Sequence, residues 1–185
     1  MLSTAEPARA ATEPSERFDE LFERYYPRLY GLAFRLLGDP QEAEDALQEV
    51  FLKLADAPVL ARPDDEVAAW LRRVCLNLGF NWLRDRRRAR ERLERAGRLE
   101  LAAQANDGVG PAGALLRREQ QAAVRRALAG LPERQRDCLL LRHSGYSYAE
   151  IAATLGLAVG SVGVLLARAE RTFRQAYQEQ DDELS

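Results

Sequence analysis

Arginine side chains crowd the middle of the chain, at a spacing that could bind phosphate groups. The run ends at residue 92 and comprises Arg84, Arg86, Arg87, Arg88, Arg90 and Arg92. Trp70, Asn77, Asn81 and Trp82 precede it. Aromatic and amide side chains beside arginines suit base stacking and base-edge hydrogen bonds, so the segment is a candidate nucleic-acid surface. The simpler alternative is a solvated helix face. Trp70 fits the apolar spacing and is predicted to lie in the core, whereas the place of Trp82 stays open.

A second candidate surface is acidic. Its members recur on one side of a helical pattern and are Glu42, Glu44, Asp45, Gln48 and Glu49. Such a stripe is commonly a solvated helix side, and alternatively a docking face for a basic protein partner. Paired carboxylates could also serve acid–base or metal chemistry. Because no nucleophile, histidine or phosphate-binding loop accompanies them, the sequence predicts no enzyme, no metal site and no cofactor.

Few other groups are available for chemistry. The single histidine is His143, and the two cysteines, Cys75 and Cys138, form no CxxC pair, which excludes a disulfide framework or a cysteine-based zinc site. Both cysteines are predicted to be core residues, and His143 a helix-end or surface group. No apolar run approaches the roughly 20 residues of a membrane span. Since the N-terminus also lacks a signal-peptide core, we expect a cytoplasmic protein without membrane insertion.

The small net charge conceals an uneven distribution. The 185 residues include 27 Lys+Arg and 29 Asp+Glu, a net charge of −2. Residues 1–69 hold 7 basic and 15 acidic side chains (net −8), residues 70–98 hold 10 and 3 (net +7), and residues 99–185 hold 10 and 11 (net −1). An acidic block therefore adjoins a strongly basic one, which can offer a polyanion a concentrated face even in an acidic protein.

Three helices are predicted in the first half, after an aperiodic lead at residues 1–14 that is expected to be disordered. Apolar residues recur at three- and four-residue steps from Ser15 until Gly38 ends the first helix. Asp39-Pro40-Gln41-Glu42 then provides an N-cap, a proline at the first helical position and a carboxylate at the third. A third helix begins near Asp64 and continues into the arginine run.

The second half of the chain is predicted to form a separate helical unit. Residues 96–114 lose periodicity and gather Gly, Asn and Pro, which predicts a flexible linker. Helices are predicted over 114–129, from Leu131-Pro132 to Arg142, and from Val159 to Gln178. Between the last two, Ser147-Tyr148-Ala149-Glu150 is a capping box opening a short helix that ends at Gly156. This outline is that of a helix-turn-helix, or else of an ordinary helical hairpin. The predicted fold is all-α, with two small helical domains at 15–95 and 115–178 and a tail at 179–185.

Together, these segments resemble the extracytoplasmic-function (ECF) sigma factors of bacterial RNA polymerase, in the sigma-70 family. The resemblance runs from about Phe18 to Gln175 and rests on three stretches in the right order. FDELFERYYPRLYGLAFRLLGDPQEAEDALQEVFLKL is similar to the opening helices of sigma region 2, and AAWLRRVCLNLGFNWLRDRRRA to its promoter helix. LPERQRDCLLLRHSGYSYAEIAATLGLAVGSV is similar to the helix-turn-helix of sigma region 4.

The resemblance implies a function and assigns roles. The chain would be a promoter-specificity subunit that docks on the clamp helices of the largest polymerase subunit through Asp45, Gln48, Glu49, Phe51 and Leu52. Loop 55–66 would capture a flipped base of the −10 element. The residues implied to bind DNA in the −10 region are Arg72, Arg73, Asn77, Asn81, Arg84, Arg86, Arg87 and Arg88. Those implied for the −35 element are Ser161, Arg168, Arg171 and Arg174. An anti-sigma factor is the further partner that the resemblance implies.

One stretch departs from the family pattern. After Gly160-Ser161-Val162 the recognition helix continues with apolar residues 163–167, and Ala158 stands where a serine cap is common. Side chains of 163–167 can offer bases only apolar contact with thymine methyls. We therefore expect weak, shape-based or altered −35 recognition, or a protein-binding face. Two alternatives follow: a stand-alone helix-turn-helix regulator, or a sigma-like protein-interaction module that does not open promoters.

Overall fold

The computed structural model describes residues 14–95 and 111–182. Within those ranges it contains helices and no strand, so the predicted all-α class is confirmed. The helices are α1 (Pro14–Leu37), α2 (Pro40–Ala55), α3 (Asp64–Arg95), α4 (Pro111–Ala129), α5 (Glu133–His143), α6 (Tyr148–Leu155) and α7 (Val159–Asp182). A 3-10 turn, Pro58–Ala61, lies between α2 and α3.

Local signals set the helix ends as predicted. Gly38 adopts φ 77°, a left-handed conformation that ends α1. The Asp39 carboxylate then accepts the Glu42 amide at 2.9 Å, which caps α2. Ser147 and Glu150 form the reciprocal capping box of α6, and Gly156 ends that helix at φ 63°.

Three helix ends differ from their predicted positions. The first helix begins at Pro14, inside the predicted lead. α4 begins at Pro111 rather than 114, so the last four residues of the predicted linker are helical. α7 continues to Asp182, into the predicted tail. Residues 1–13, most of the linker (96–110) and residues 183–185 lie outside the described part of the chain.

The two halves pack against each other. Helices α1, α2 and α3 bury one set of apolar side chains, and α4 to α7 bury another. The buried apolar residues of both sets nevertheless form one continuous cluster, because α6 lies against α3 and α5 approaches α1. Cys75 and Cys138 are buried within it, as predicted, and Trp70 packs partly buried on its edge.

Candidate docking and nucleic-acid interfaces

The predicted acidic stripe faces outward on α2. Its exposed members are Glu44, Asp45 and Gln48, and together with the exposed Leu52 they are called here the α2 face. Leu52 is 69% exposed, the largest exposed fraction among the large hydrophobic side chains that the structure describes. Asp45 accepts a hydrogen bond from Gln41 at 3.2 Å, and half-buried Glu49 pairs with Lys53 at 3.3 Å between Oε1 and Nζ. The α2 face therefore combines negative charge with one projecting apolar side chain.

Phe51 does not belong to that face. Only 3% of it is exposed, so in this conformation its side chain is not accessible to a partner, and the contact that the resemblance implies stays a prediction. Its ring lies 4.7 Å from that of Phe22 and 6.2 Å from those of Phe18 and Tyr26, between centroids. Phe51 instead fixes α2 against α1, because such ring pairs add to the hydrophobic burial.

A row of aromatic side chains on α1 borders the α2 face, and sequence analysis missed it. The row consists of Phe18, Phe22, Tyr26, Tyr30 and Phe34. Consecutive rings lie 5.0 to 6.4 Å apart between centroids. Burial and the nearby negative charge of Glu44 raise the pKa of Tyr26, which places the row beside the acidic side chains. Its signal in the sequence is an aromatic residue at every fourth position, one face of a helix.

The basic helix α3 presents most of its predicted DNA-binding residues to solvent. All of them except Arg72 are exposed, and five of the exposed ones, called here the α3 face, are Asn77, Asn81, Arg84, Arg87 and Arg88. Arg84 donates to the Asn81 amide oxygen, and Arg87 pairs with Glu91 at 2.8 Å. Arg86 is also exposed but forms an ion pair with α2, since its Nη1 lies 2.7 and 2.9 Å from the two carboxylate oxygens of Glu42.

The α3 face opens into a cleft between the two halves. The cleft has a volume of about 590 Å³, and Arg125 of α4 and Arg136 of α5 also line it. The Arg136 guanidinium carbon lies 3.4 Å from the centroid of the Phe80 ring, a cation–π contact that joins the halves. Burial and the like charge of Arg86 lower the pKa of Arg125. Arginines from both halves thus converge on one concave, positively charged space.

Arg72 and Arg73 are placed differently from the expectation. Arg72 is only 5% exposed, and its Nε donates to the Thr154 hydroxyl of α6 at 2.6 Å. Arg73 donates from Nε to the Thr154 carbonyl at 2.8 Å. Both guanidinium groups are therefore occupied by the second half of the chain, and in this conformation Arg72 is closed to DNA.

Loop 55–66, the predicted base-capturing loop, is held in place by α1. Arg17 donates from Nε to the Leu60 carbonyl at 2.7 Å and from Nη2 to the Arg62 carbonyl. The same guanidinium pairs with Asp64 at 3.2 Å, and Arg24 also binds that carboxylate. Several hydrogen bonds to one short loop fix its backbone, so any pocket it forms is preorganised.

The helix-turn-helix outline has the expected geometry. The axes of α6 and α7 differ by 93°, within the usual range for that motif. The predicted contact residues, Ser161, Arg168, Arg171 and Arg174, are all exposed on α7. Val162 and Leu166 are buried in the domain core, which accounts for much of the apolar stretch. Val164 remains 53% exposed, and nothing in the structure explains it.

Comparison with known proteins identifies these segments. Residues 21–89 match the model of Sigma-70 region 2, and residues 121–173 match Sigma-70 region 4. The RNA polymerase sigma-H factor of Pseudomonas aeruginosa is 34% identical over 166 residues, which cover 87% of this chain and 86% of that protein. The chain belongs to the sigma-70 family. The ECF sigma factor SigM of Mycobacterium tuberculosis is 33% identical over 153 residues, covering 82% of this sigma factor and 72% of SigM.

Solved structures give the same fold. CnrH, in complex with the cytosolic domain of CnrY, matches this sigma factor with a TM-score of 0.56 at 22% identity, over 88% of each chain. RpoE, in complex with the anti-sigma factor NepR from Bartonella quintana, matches at a TM-score of 0.50 and 23% identity, over 87% of this chain and 96% of that one. The predicted ECF sigma-factor identity and its function as a promoter-specificity subunit are confirmed.

The remaining reactive groups of the sigma factor are buried or isolated. Burial raises the pKa of the Cys75 thiol to about 12 and, together with the negative charge of Asp137, that of Cys138 to about 11. Over 14–95 and 111–182 no group of three or more His, Cys, Asp or Glu side chains could hold a metal ion. In the same ranges no single helix is both long and apolar enough to span a membrane; α6 and α7 pass that test only as a bent pair.

Proposed function

We propose that this sigma subunit docks on core RNA polymerase through the α2 face. The observation that carries this assignment is the outward projection of Glu44, Asp45 and Gln48 around the exposed Leu52. Acidic side chains around an apolar anchor suit a basic helical partner, since charge steers the encounter and the buried side chain supplies affinity. In the family, the clamp helices of the largest polymerase subunit are that partner. The aromatic row continues the same surface along α1.

The α3 face is the proposed site for the melted −10 strand. Its arginines supply phosphate contacts, and Asn77 and Asn81 supply amide groups that can reach base edges. The loop held by Arg17 lies at the start of the same helix, where it would receive an extruded base at a cost of a few kcal/mol. Arg86 contributes to this face only after it releases Glu42.

The proposed −35 contacts come from α7. Arg168, Arg171 and Arg174 would bind phosphates, and Ser161 is the polar side chain near the helix start that could reach a base or the backbone. Val164 would lie where only apolar contact with a thymine methyl is possible. Recognition of the −35 element is therefore expected to depend mainly on phosphate positions and DNA shape.

The protein-interaction alternative loses its main support. It rested on the apolar stretch around residues 162–166, yet Val162 and Leu166 pack inside the domain. We further propose that the subunit works in the cytoplasm, where core polymerase and promoters are found, without catalysis of its own. An anti-sigma factor is a proposed partner because two sigma factors of the same fold were solved with CnrY and with NepR.

The experiment is run-off transcription with purified sigma subunit and core polymerase on fragmented genomic DNA from the source organism. Discrete start sites that share an upstream motif are expected. Binding to core is measured in parallel for the double variant Asp45→Arg/Glu49→Arg. The matched control is Glu20→Arg/Glu170→Arg, which makes the same change of charge at exposed positions on α1 and α7. Loss of core binding in the first pair only supports the α2 face, whereas normal assembly of both pairs would refute it.

A further inference from the structure

The exposed side of α7 is apolar in its first turns and basic after them. Gly160, Val164 and Ala167 are exposed and carry no polar side-chain atom, and Val164 is 53% exposed. Arg168 and Arg171 follow Val164 at steps of four and three residues and are exposed as well. Residues at these steps share one face of a helix, so the isopropyl group of Val164 lies in line with arginines that are proposed to hold −35 phosphates.

That face is opposite to the core of the domain. Val162, Leu166 and Ala169 are buried at the same steps along α7, with at most 4% of each side chain exposed. The face of Val164 is offset from them by two residues, which is about 200° around the helix axis. Packing of the core therefore orients Val164 outward, on the side of the helix that the proposed function turns towards DNA.

An apolar side chain in the major groove distinguishes bases by the groups that it leaves unpaired. Guanine, adenine and cytosine present hydrogen-bonding groups there, and contact with valine would remove water from those groups without offering a partner. Thymine presents a methyl group beside its oxygen. Val164 therefore favours thymine for two reasons, because the methyl group is buried on contact and because the edges of the other bases lose hydrogen bonds.

Ala167 extends the apolar surface by almost one helical turn. At a rise of 1.5 Å per residue it lies about 4.5 Å along the axis from Val164, close to the 3.4 Å step between base pairs. The alanine methyl group is also suited to contact with thymine methyls. Gly160, one turn before Val164 on the same face, has no side chain that would hold the short isopropyl group away from the bases.

We propose that the −35 element of this sigma subunit contains two adjacent A·T base pairs, whose thymine methyl groups are read by Val164 and Ala167. This inference rests on the proposed placement of α7 at the −35 element, and it adds a base preference to the phosphate contacts proposed there. The arginines position the helix, since phosphate contacts carry no sequence information of their own.

The test lets the sigma subunit select its DNA and then removes single methyl groups. The subunit assembled with core polymerase selects from a library of random duplexes, and the enriched sequence is synthesised again with deoxyuridine in place of one thymidine at a time. Deoxyuridine lacks the methyl group and keeps every hydrogen-bonding atom of the base edge. The variant is Val164→Ser. The matched control is Val159→Ser, because Val159 is 52% exposed on the same helix but lies about 140° away around the axis.

We expect two adjacent A·T pairs in the enriched sequence, and an affinity lower by about threefold to fivefold for each deoxyuridine, the effect of one methyl group. Val164→Ser should bind the thymidine duplex more weakly by the same factor and lose its response to deoxyuridine at one of the two positions, whereas Val159→Ser should respond at both. An enriched sequence of G·C pairs, a wild-type affinity that deoxyuridine leaves unchanged, or a Val164→Ser protein that still responds at both positions would overturn the inference. The wild-type comparison needs no substitution, so it decides the question even if a variant fails to fold.

Failure of this inference is separable from failure of the proposed −35 role. Arg168→Gln, measured on the same duplexes, removes a proposed phosphate contact and no apolar contact. Weaker binding by Arg168→Gln, together with no response to deoxyuridine, would refute the reading of thymine and leave α7 at the −35 element. If neither change alters affinity, α7 does not touch DNA, its exposed apolar side is a protein-binding face, and both the −35 assignment and this inference are refuted.

Discussion

Phe51 and Leu52 are sequence neighbours of which the structure buries the first and exposes the second, so their substitution should separate folding from docking. Phe51→Ala deletes a buried ring, and such deletions cost about 3–5 kcal/mol. If the free energy of unfolding falls by about 2 kcal/mol per molar of urea, the urea concentration at the unfolding midpoint should fall by about 2 M. Leu52→Ala removes side-chain atoms that lie in solvent, so its midpoint should change little.

The two substitutions should have the opposite ranking in their effect on core binding, when only folded protein is compared. If Leu52 is the apolar anchor of the α2 face, its truncation costs about 1–2 kcal/mol of binding, or about fivefold to thirtyfold in Kd. The assays are urea unfolding followed by circular dichroism, and titration of labelled sigma subunit with core polymerase below the unfolding midpoint. A Phe51→Ala protein as stable as the wild type, or a Leu52→Ala protein with unaltered affinity for core, would refute the assignment.

Three further predictions concern DNA, packing and pH. Arg88→Gln should lower the salt dependence of promoter-strand binding by about 0.7 to 0.9 in log–log slope, whereas Arg86→Gln, whose partner is Glu42, should leave the slope nearly unchanged. Gly163→Ala should raise the thermal midpoint, since its Cβ would lie 3.6 Å from the nearest side chain, but Gly79→Ala should lower it, since its Cβ would overlap a buried leucine of α1. Although burial opposes it, hydrogen bonding to an arginine of α1 and to Ser147 lowers the pKa of Glu150 to about 2. The contribution of Glu150 to the contact between the two halves is thus present above about pH 5 and lost as pH falls towards 2, which the free energy of unfolding measured against pH should report.

The parts of the fold that could be predicted are those set by a few adjacent residues. The cap at Asp39, the left-handed Gly38 and the capping box at Ser147 each act within one helical turn, so the sequence alone locates them. The outward acidic stripe follows equally from helical spacing. Phe51 shows the limit of this reasoning, because its apolar spacing predicts burial while the family resemblance implies a partner contact. In the structure the Phe51 side chain is buried, as its apolar spacing predicts.

What could not be predicted depends on contacts between distant segments. Arg72 and Thr154 are separated by 82 positions, and nothing in the spacing of either indicates the other. A basic helix next to a helix-turn-helix gives no sign of whether the two units meet. The sequence likewise gives no signal for Tyr146, an aromatic residue in a loop, whereas the structure places two cations over its ring. The burial of the apolar stretch of α7 also depends on tertiary packing, because Val162 is buried by the packing of α5 against α7.

The contacts of helix α3 differ between its start and its end, and this difference affects how a promoter strand could bind. Near its start Arg72 is buried against α6, whereas Arg84, Arg87 and Arg88 are exposed, and the first two of these line an open cleft. A strand can therefore meet the exposed arginines before any domain movement. Once bound there, it is tethered within reach of Arg72 and Arg73, and the second contact becomes intramolecular, at a high effective concentration. Contact with Arg72 also requires its hydrogen bond to Thr154 to break, so it follows the encounter with the exposed arginines.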